Sequence, residues 1–202
     1  MKLLDVDTPH GPARAHLDAD GDARGLLVLG HGAGGGVSAR DLVAVARVAR
    51  SDALAVALVE QPYKVAGRRS PAPGRQLDSA WEAVVASLSA GALRGLPLIV
   101  GGRSSGARVA CRTAAATGAA GVLCLAFPVH APGRPEKSRL EELNAVQVPV
   151  LVVQGASDPF GMPAAAPGRE VVVVPGGHSL TGDLAAVGAA VRDWLRVVVP
   201  GR

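Results

Sequence analysis

The reading of this chain turns on the stretch Leu96-Pro97-Leu98-Ile99-Val100-Gly101-Gly102-Arg103-Ser104-Ser105-Gly106-Ala107-Arg108-Val109-Ala110. Residues 96–101 form an apolar run bounded by turn residues, the pattern of a strand covered on both faces. Residues 105–117 are small and helix-compatible. Between the two lies Gly102-Arg103-Ser104-Ser105-Gly106. A serine held on a sharp strand-to-helix turn needs glycine two residues to either side, because side chains there would collide with neighbouring backbone. The helix start also aims free N–H groups and a positive dipole end at negative charge forming beside the serine. Ser104 is therefore the candidate nucleophile. In a chain with 26 glycines the pentapeptide alone is weak evidence, so its surroundings decide.

Outward from this turn, strand and helix alternate. Residues 2–6 and 13–17 flank Thr8-Pro9-His10-Gly11-Pro12, which predicts an opening hairpin. Further strands are predicted over 25–30, 53–60, 121–127, 148–154 and 170–174. Ser38 opens a helix with Leu42, Val43, Val45 and Val48 on one face. Helices are also predicted over 78–88, 140–143 and 183–198. Their apolar residues, among them Trp81, Val84, Val187 and Trp194, recur at helical spacing. Such alternation predicts one α/β domain over 1–202, a mostly parallel sheet with helices on both faces. Residues 62–75, rich in Pro, Gly and Arg, read as a long loop.

In open α/β sheets, ligands bind beyond the carboxyl ends of the strands. A serine nucleophile needs a base there, and the base needs an orienting group. The strand over 148–154 leads into Gly155-Ala156-Ser157-Asp158, and the strand over 170–174 into Pro175-Gly176-Gly177-His178. Acid and base thus follow the serine in the order Ser104, Asp158, His178, each after a strand. The 25–30 strand runs into Gly30-His31-Gly32-Ala33-Gly34-Gly35-Gly36. Backbone this bare suits close approach to a substrate oxygen. The N–H of Ala33 or Gly34, paired with that of Ser105, is the expected oxyanion hole, and His31 is expected to brace the loop.

Composition narrows the function classes. Apolar residues make up 49% of the chain and aromatics only 2%, so Val, Leu and Ala carry the packing. The Ala, Gly and Arg load, with lysine only at 2, 64 and 137, is the composition a high-GC bacterial genome imposes. Net charge is +4, but the arginines are scattered, without the basic run or aromatic interleaving of a nucleic-acid binder. No segment has the apolar length of a membrane span. The acidic residues near the N-terminus do not suit a signal peptide, so cytoplasmic residence is expected. Cys111 and Cys124 lack metal-type spacing and read as buried free thiols. Neither metal nor cofactor is implied.

Gly30-x-Gly32-x-x-Gly35 also matches a dinucleotide fingerprint, with Glu60 where a ribose-binding acid belongs. Against this rival, a hairpin precedes the strand and Pro62 breaks the chain where the ribose would sit. It would also leave Ser104, Asp158 and His178 in order by coincidence. A Walker-type phosphate loop is absent.

At GHGAGG (30–35), EQPYKVAGRR (60–69), GGRSSGAR (101–108), FPVHAPGRPEKSR (127–139), GASDPFG (155–161) and GGHS (176–179), the chain resembles the α/β-hydrolase superfamily. It looks closest to a compact dienelactone-hydrolase-like branch that includes the animal testis-expressed hydrolase-like protein. The resemblance implies nucleophile, acid and base at Ser104, Asp158 and His178, and no particular substrate. The span from Asp158 to His178 departs from the pattern, leaving little room for a helix between the last two strands. Arg68, Arg69 and His130, together with Arg134 and Arg139, lie in loops after strands and are candidates to line a pocket for an acidic substrate. There is no room for a cap domain between residues 127 and 140. The expectation is a serine hydrolase acting on a small-molecule ester or thioester. A non-catalytic α/β-hydrolase fold used as a binding module is the alternative. Oligomeric state is not legible.

Overall fold

A computed structural model describes residues 1–200. The chain opens on an antiparallel pair, β1 (Lys2–Val6) and β2 (Ala13–Asp18). There follow β3 (Leu26–Gly30), α1 (Arg40–Ser51), β4 (Ala55–Glu60), α2 (Pro62–Val65) and α3 (Gly74–Leu88). Next come β5 (Leu98–Arg103), α4 (Ser105–Thr117), β6 (Gly121–Leu125) and α5 (Leu140–Asn144). The chain closes with β7 (Val150–Gly155), β8 (Arg169–Val174) and α6 (Leu184–Val198). Eight strands form one sheet in the order β1-β2-β4-β3-β5-β6-β7-β8. From β4 to β8 every pairing is parallel.

Alternation of side chains along each strand sorts the core into two layers. Leu26 and Val28 of β3, with Val100, Val122 and Val152, face α3 and α4. Leu27 and Leu29, with Ile99, Leu123 and Leu151, face α1 and α6. Central strands covered on both faces must read as unbroken apolar runs, which is why β3 and β7 lack a polar alternation.

Where the boundaries differ from expectation, each difference has a local cause. β5 runs two residues beyond 101 because Gly101 and Gly102 still pair with Leu29 and Gly30 of β3. A Cβ on Gly101 would come within 2.4 Å of the Leu123 carbonyl oxygen, so glycine continues the strand where neighbouring backbone leaves no space. β6 stops at Leu125, since Ala126 turns the chain at φ 51°. The 62–75 segment is not all loop. Pro62 occupies the first position of α2, where its fixed φ suits a helix, and α3 begins at Gly74, four residues before the expected start. No helix separates β7 from β8, in keeping with the short span there. Between β6 and β7 the only helix is the five-residue α5, so no helical cap covers the strand ends. Cys111 and Cys124 are buried free thiols with their sulfurs 3.5 Å apart.

Candidate active site

Ser104 sits at the carboxyl end of β5, at the centre of the sheet, with φ 53° and ψ −108°. This left-handed backbone is strained for a residue with a Cβ. It is held by the Ser104 N–H, which donates to the Leu125 carbonyl at 2.9 Å. The flanking glycines are there for space. A Cβ on Gly102 or Gly106 would lie 2.4 or 2.3 Å from the Gly30 carbonyl oxygen. The elbow and the loop after β3 are therefore wedged together, backbone to backbone.

The loops after β7 and β8 bring two further side chains to the serine. His178 Nε2 lies 2.9 Å from Ser104 Oγ, and its Nδ1 lies 2.8 Å from Asp158 Oδ2. The Phe160 ring stacks on the imidazole at a centroid distance of 4.0 Å, which fixes the plane of the ring. The Asp158 side chain is fully buried. Its Oδ1 accepts from the Phe160 N–H, and its Oδ2 accepts from Gln154 Nε2, both at 2.9 Å. These donors replace the hydrogen bonds to water that burial removes. The sequence reading missed Gln154. Its one signal is a polar residue closing the otherwise apolar Val150-Leu151-Val152-Val153.

The glycine loop after β3 lies against Ser104: a Cβ on Gly32 would be 3.6 Å from that of the serine. Ala33, Gly34 and Ser105 all line the cavity beside Ser104. Among the described residues, the N–H groups of Ala33 and Gly34 meet no protein acceptor. The Tyr63 hydroxyl, brought in by α2, donates to the Ala33 carbonyl at 3.0 Å. His31 braces the loop as expected. Its Nδ1 donates to the Gly32 carbonyl (2.8 Å), while Nε2 accepts from the Gln61 N–H (3.3 Å). With one nitrogen donating and the other accepting, the ring is neutral, and burial holds its pKa below the ordinary histidine value.

Beneath the site, Arg103 ties three elements together. Its Nη2 donates to the His178 carbonyl at 3.1 Å. Its Nε lies 2.9 Å from Asp41 Oδ2 at the start of α1, an ion pair without good hydrogen-bond alignment. Asp41 is 1% exposed, and desolvation raises its pKa against the pull of Arg103.

The cavity measures about 590 Å³, with Phe160, Pro128 and Pro71 among its walls. Arg68, Arg69 and His130 do not line it, contrary to expectation. The α2 turn carries Arg68 to a separate hollow beside His10 and Gln76, and Arg69 is exposed. His130 packs against Gly161 and its N–H donates to the Phe160 carbonyl at 3.1 Å, so it supports the loop that carries Asp158. Of the five basic loop residues considered, Arg139 alone faces the cavity, joined by Arg103 and Arg108. The dinucleotide geometry is not reproduced either: α1 begins at Arg40, five residues past Gly35, and Glu60 sits 3.5 Å from His16. Among the described residues no cluster of three or more His, Cys, Asp or Glu could hold a metal ion. Nor is any helix among them long and apolar enough to cross a membrane.

The family profile of the alpha/beta hydrolase domain matches residues 23–186. Comparison with curated proteins finds no match. Among solved structures, an a/b serine hydrolase without lid from Xanthomonas campestris is similar at 21% identity and TM-score 0.79, over 100% of this chain and 96% of its own. Est1E from Butyrivibrio proteoclasticus is similar at 16% identity and TM-score 0.81, over 100% of both chains. Dienelactone hydrolase from Anabaena variabilis is similar at 20% identity and TM-score 0.75, over 97% of this chain and 96% of its own.

Proposed function

Because this chain belongs to the alpha/beta hydrolase family, we propose that it is a serine hydrolase cleaving esters or thioesters, through Ser104, His178 and Asp158, within the dienelactone-hydrolase-like branch. The observation that carries this reading is the unbroken line from Asp158 Oδ2 through the imidazole to Ser104 Oγ, with steps of 2.8 and 2.9 Å. The 2.9 Å step lies within the reach that proton transfer needs, and the 2.8 Å step is a hydrogen bond that orients the base.

His178 Nε2 takes the Ser104 proton as Oγ bonds to the substrate carbonyl carbon. The carbonyl electrons move onto oxygen, and the N–H groups of Ala33 or Gly34 and of Ser105 stabilise that oxyanion. Asp158 holds Nδ1–H, fixing the tautomer, and stabilises the imidazolium. Collapse of the intermediate breaks the bond to the alcohol or thiol, which leaves with the proton from His178. Water then attacks the acyl-serine by the same route, releasing the carboxylic acid and restoring Ser104. The strain at Ser104 serves this sequence by presenting Oγ above the strand ends.

A fluorophosphonate probe read by intact-mass spectrometry tests the proposal. Wild type should gain one adduct, and Ser104→Ala none. Ser104→Ala or His178→Ala should lower kcat on 4-nitrophenyl acyl esters by on the order of 10⁴-fold or more. An unlabelled wild type, or a Ser104→Ala variant labelled equally, overturns the reading and leaves the fold as a binding module.

A further inference from the structure

The cavity beside Ser104 carries more positive charge than the protein neutralises. Arg103, Arg108 and Arg139 line it. Arg103 faces Asp41 at 2.9 Å. Arg108 forks onto Glu142 at 2.8 and 2.5 Å. Behind it, Arg112 forks onto Asp78 and also reaches Glu142 at 3.2 Å. Arg139 is left over. Its backbone N–H donates to the Val129 carbonyl at 2.7 Å, which fixes where the side chain starts, just before α5. Among the described residues the guanidinium of this half-buried residue meets no carboxylate and no hydrogen-bond acceptor. Arg108 and Arg112 thus take up both nearby carboxylates, those of Asp78 and Glu142. Of the three arginines that line the cavity, Arg139 is the one left without a carboxylate partner.

Desolvation, then repulsion from Arg108, holds the Arg139 pKa below its ordinary value, and Glu142 only partly offsets this. An anion entering the cavity would relieve both stresses. A guanidinium suits that task, since its planar fork binds a carboxylate through two charge-assisted hydrogen bonds. The apolar walls at Phe160 and Pro128 suit the uncharged chain between such an anion and the scissile carbonyl.

We propose that Arg139 anchors a carboxylate on the substrate, so that the preferred substrates are esters bearing a negative charge on their acyl or alcohol part. The proposal rests on the hydrolytic reading of Ser104 and names its substrate class. Two matched pairs test it. With the charge on the acyl side, the 4-nitrophenyl monoester of adipic acid is compared with 4-nitrophenyl hexanoate. With the charge on the leaving side, 4-butyryloxybenzoate is compared with its methyl ester. In at least one pair, Arg139→Gln should lower the anionic-to-neutral ratio of kcat/KM by tenfold or more, and Arg139→Lys should recover part of it. A ratio unchanged within twofold in both pairs overturns the proposal. Binding separates this failure from failure of the hydrolase reading. Ser104→Ala protein, titrated calorimetrically with monomethyl adipate and with dimethyl adipate, should prefer the anion and lose that preference when Arg139→Gln is added. No preference in the parent overturns the anchor whether or not any ester is cleaved.

Discussion

Replacing Arg103 with Met keeps most of the side-chain length but strands Asp41, which is 1% exposed. At the observed 2.9 Å, the gross attraction within the pair is about 6 kcal/mol for an effective dielectric near 20. Desolvation offsets much of that, so the net worth of the pair is small. Removing one partner is another matter, because the survivor stays buried without its counter-charge, at a cost of about 3–5 kcal/mol. The expected losses are therefore unequal. Arg103→Met should cost about 3 kcal/mol near pH 8. Asp41→Asn should cost less, since Arg103 is 18% exposed and reaches cavity water. The double variant should be more stable than the two single losses added together. The sign of the pH dependence follows from Asp41. Desolvation raises its folded pKa above the ordinary value even with Arg103 present, and loss of Arg103 raises it further. A carboxyl with a raised folded pKa contributes stability at low pH and loses it as pH rises through that pKa. The Arg103→Met deficit should thus be larger at pH 8 than at pH 5. Urea unfolding of wild type, both single variants and the double at the two pH values measures all of this. An Arg103→Met loss below about 1 kcal/mol at pH 8, or strictly additive variants, would refute the view of Asp41 as a buried charge dependent on Arg103.

Two further outcomes are expected. Gln154→Leu removes the donor shared by Asp158, the Phe127 carbonyl and the Gly161 carbonyl. It should cost about 1–3 kcal/mol of stability and lower kcat more than it changes KM, which steady-state kinetics on a 4-nitrophenyl ester would show. His31 is buried and neutral with a depressed pKa, so its contribution is present above the unfolded value of about 6.5 and lost as pH falls through the folded value. Thermal melts between pH 5 and 7.5 should show that acid-side loss, and His31→Gln should flatten it. An identical slope in the variant sinks the assignment.

Much of the fold was legible because parallel strands covered on both faces announce themselves as apolar runs, and the chemistry gathers just past their ends. That Ser104, Asp158 and His178 should come together was readable from their order and placement, and they lie within hydrogen-bond distance in sequence Ser104–His178–Asp158. The contacts that sequence did not reveal share a different trait. Arg103 meets Asp41 from another element, Tyr63 reaches Ala33 across 30 positions, and Arg112 pairs with Asp78 across 34. No local period marks such pairs, because each depends on how two elements pack. Arg68, Arg69 and His130 erred for the same reason in reverse. They stand in loops that follow strands, but α2 turns the first two away and the acid loop takes up the third. Position after a strand therefore identifies residues gathered at the strand ends, as Ser104 is. It does not say which loop arginine keeps its charge free. That depends on which carboxylates the neighbouring arginines have already claimed, and here the claims of Arg108 and Arg112 on Glu142 leave Arg139 without one.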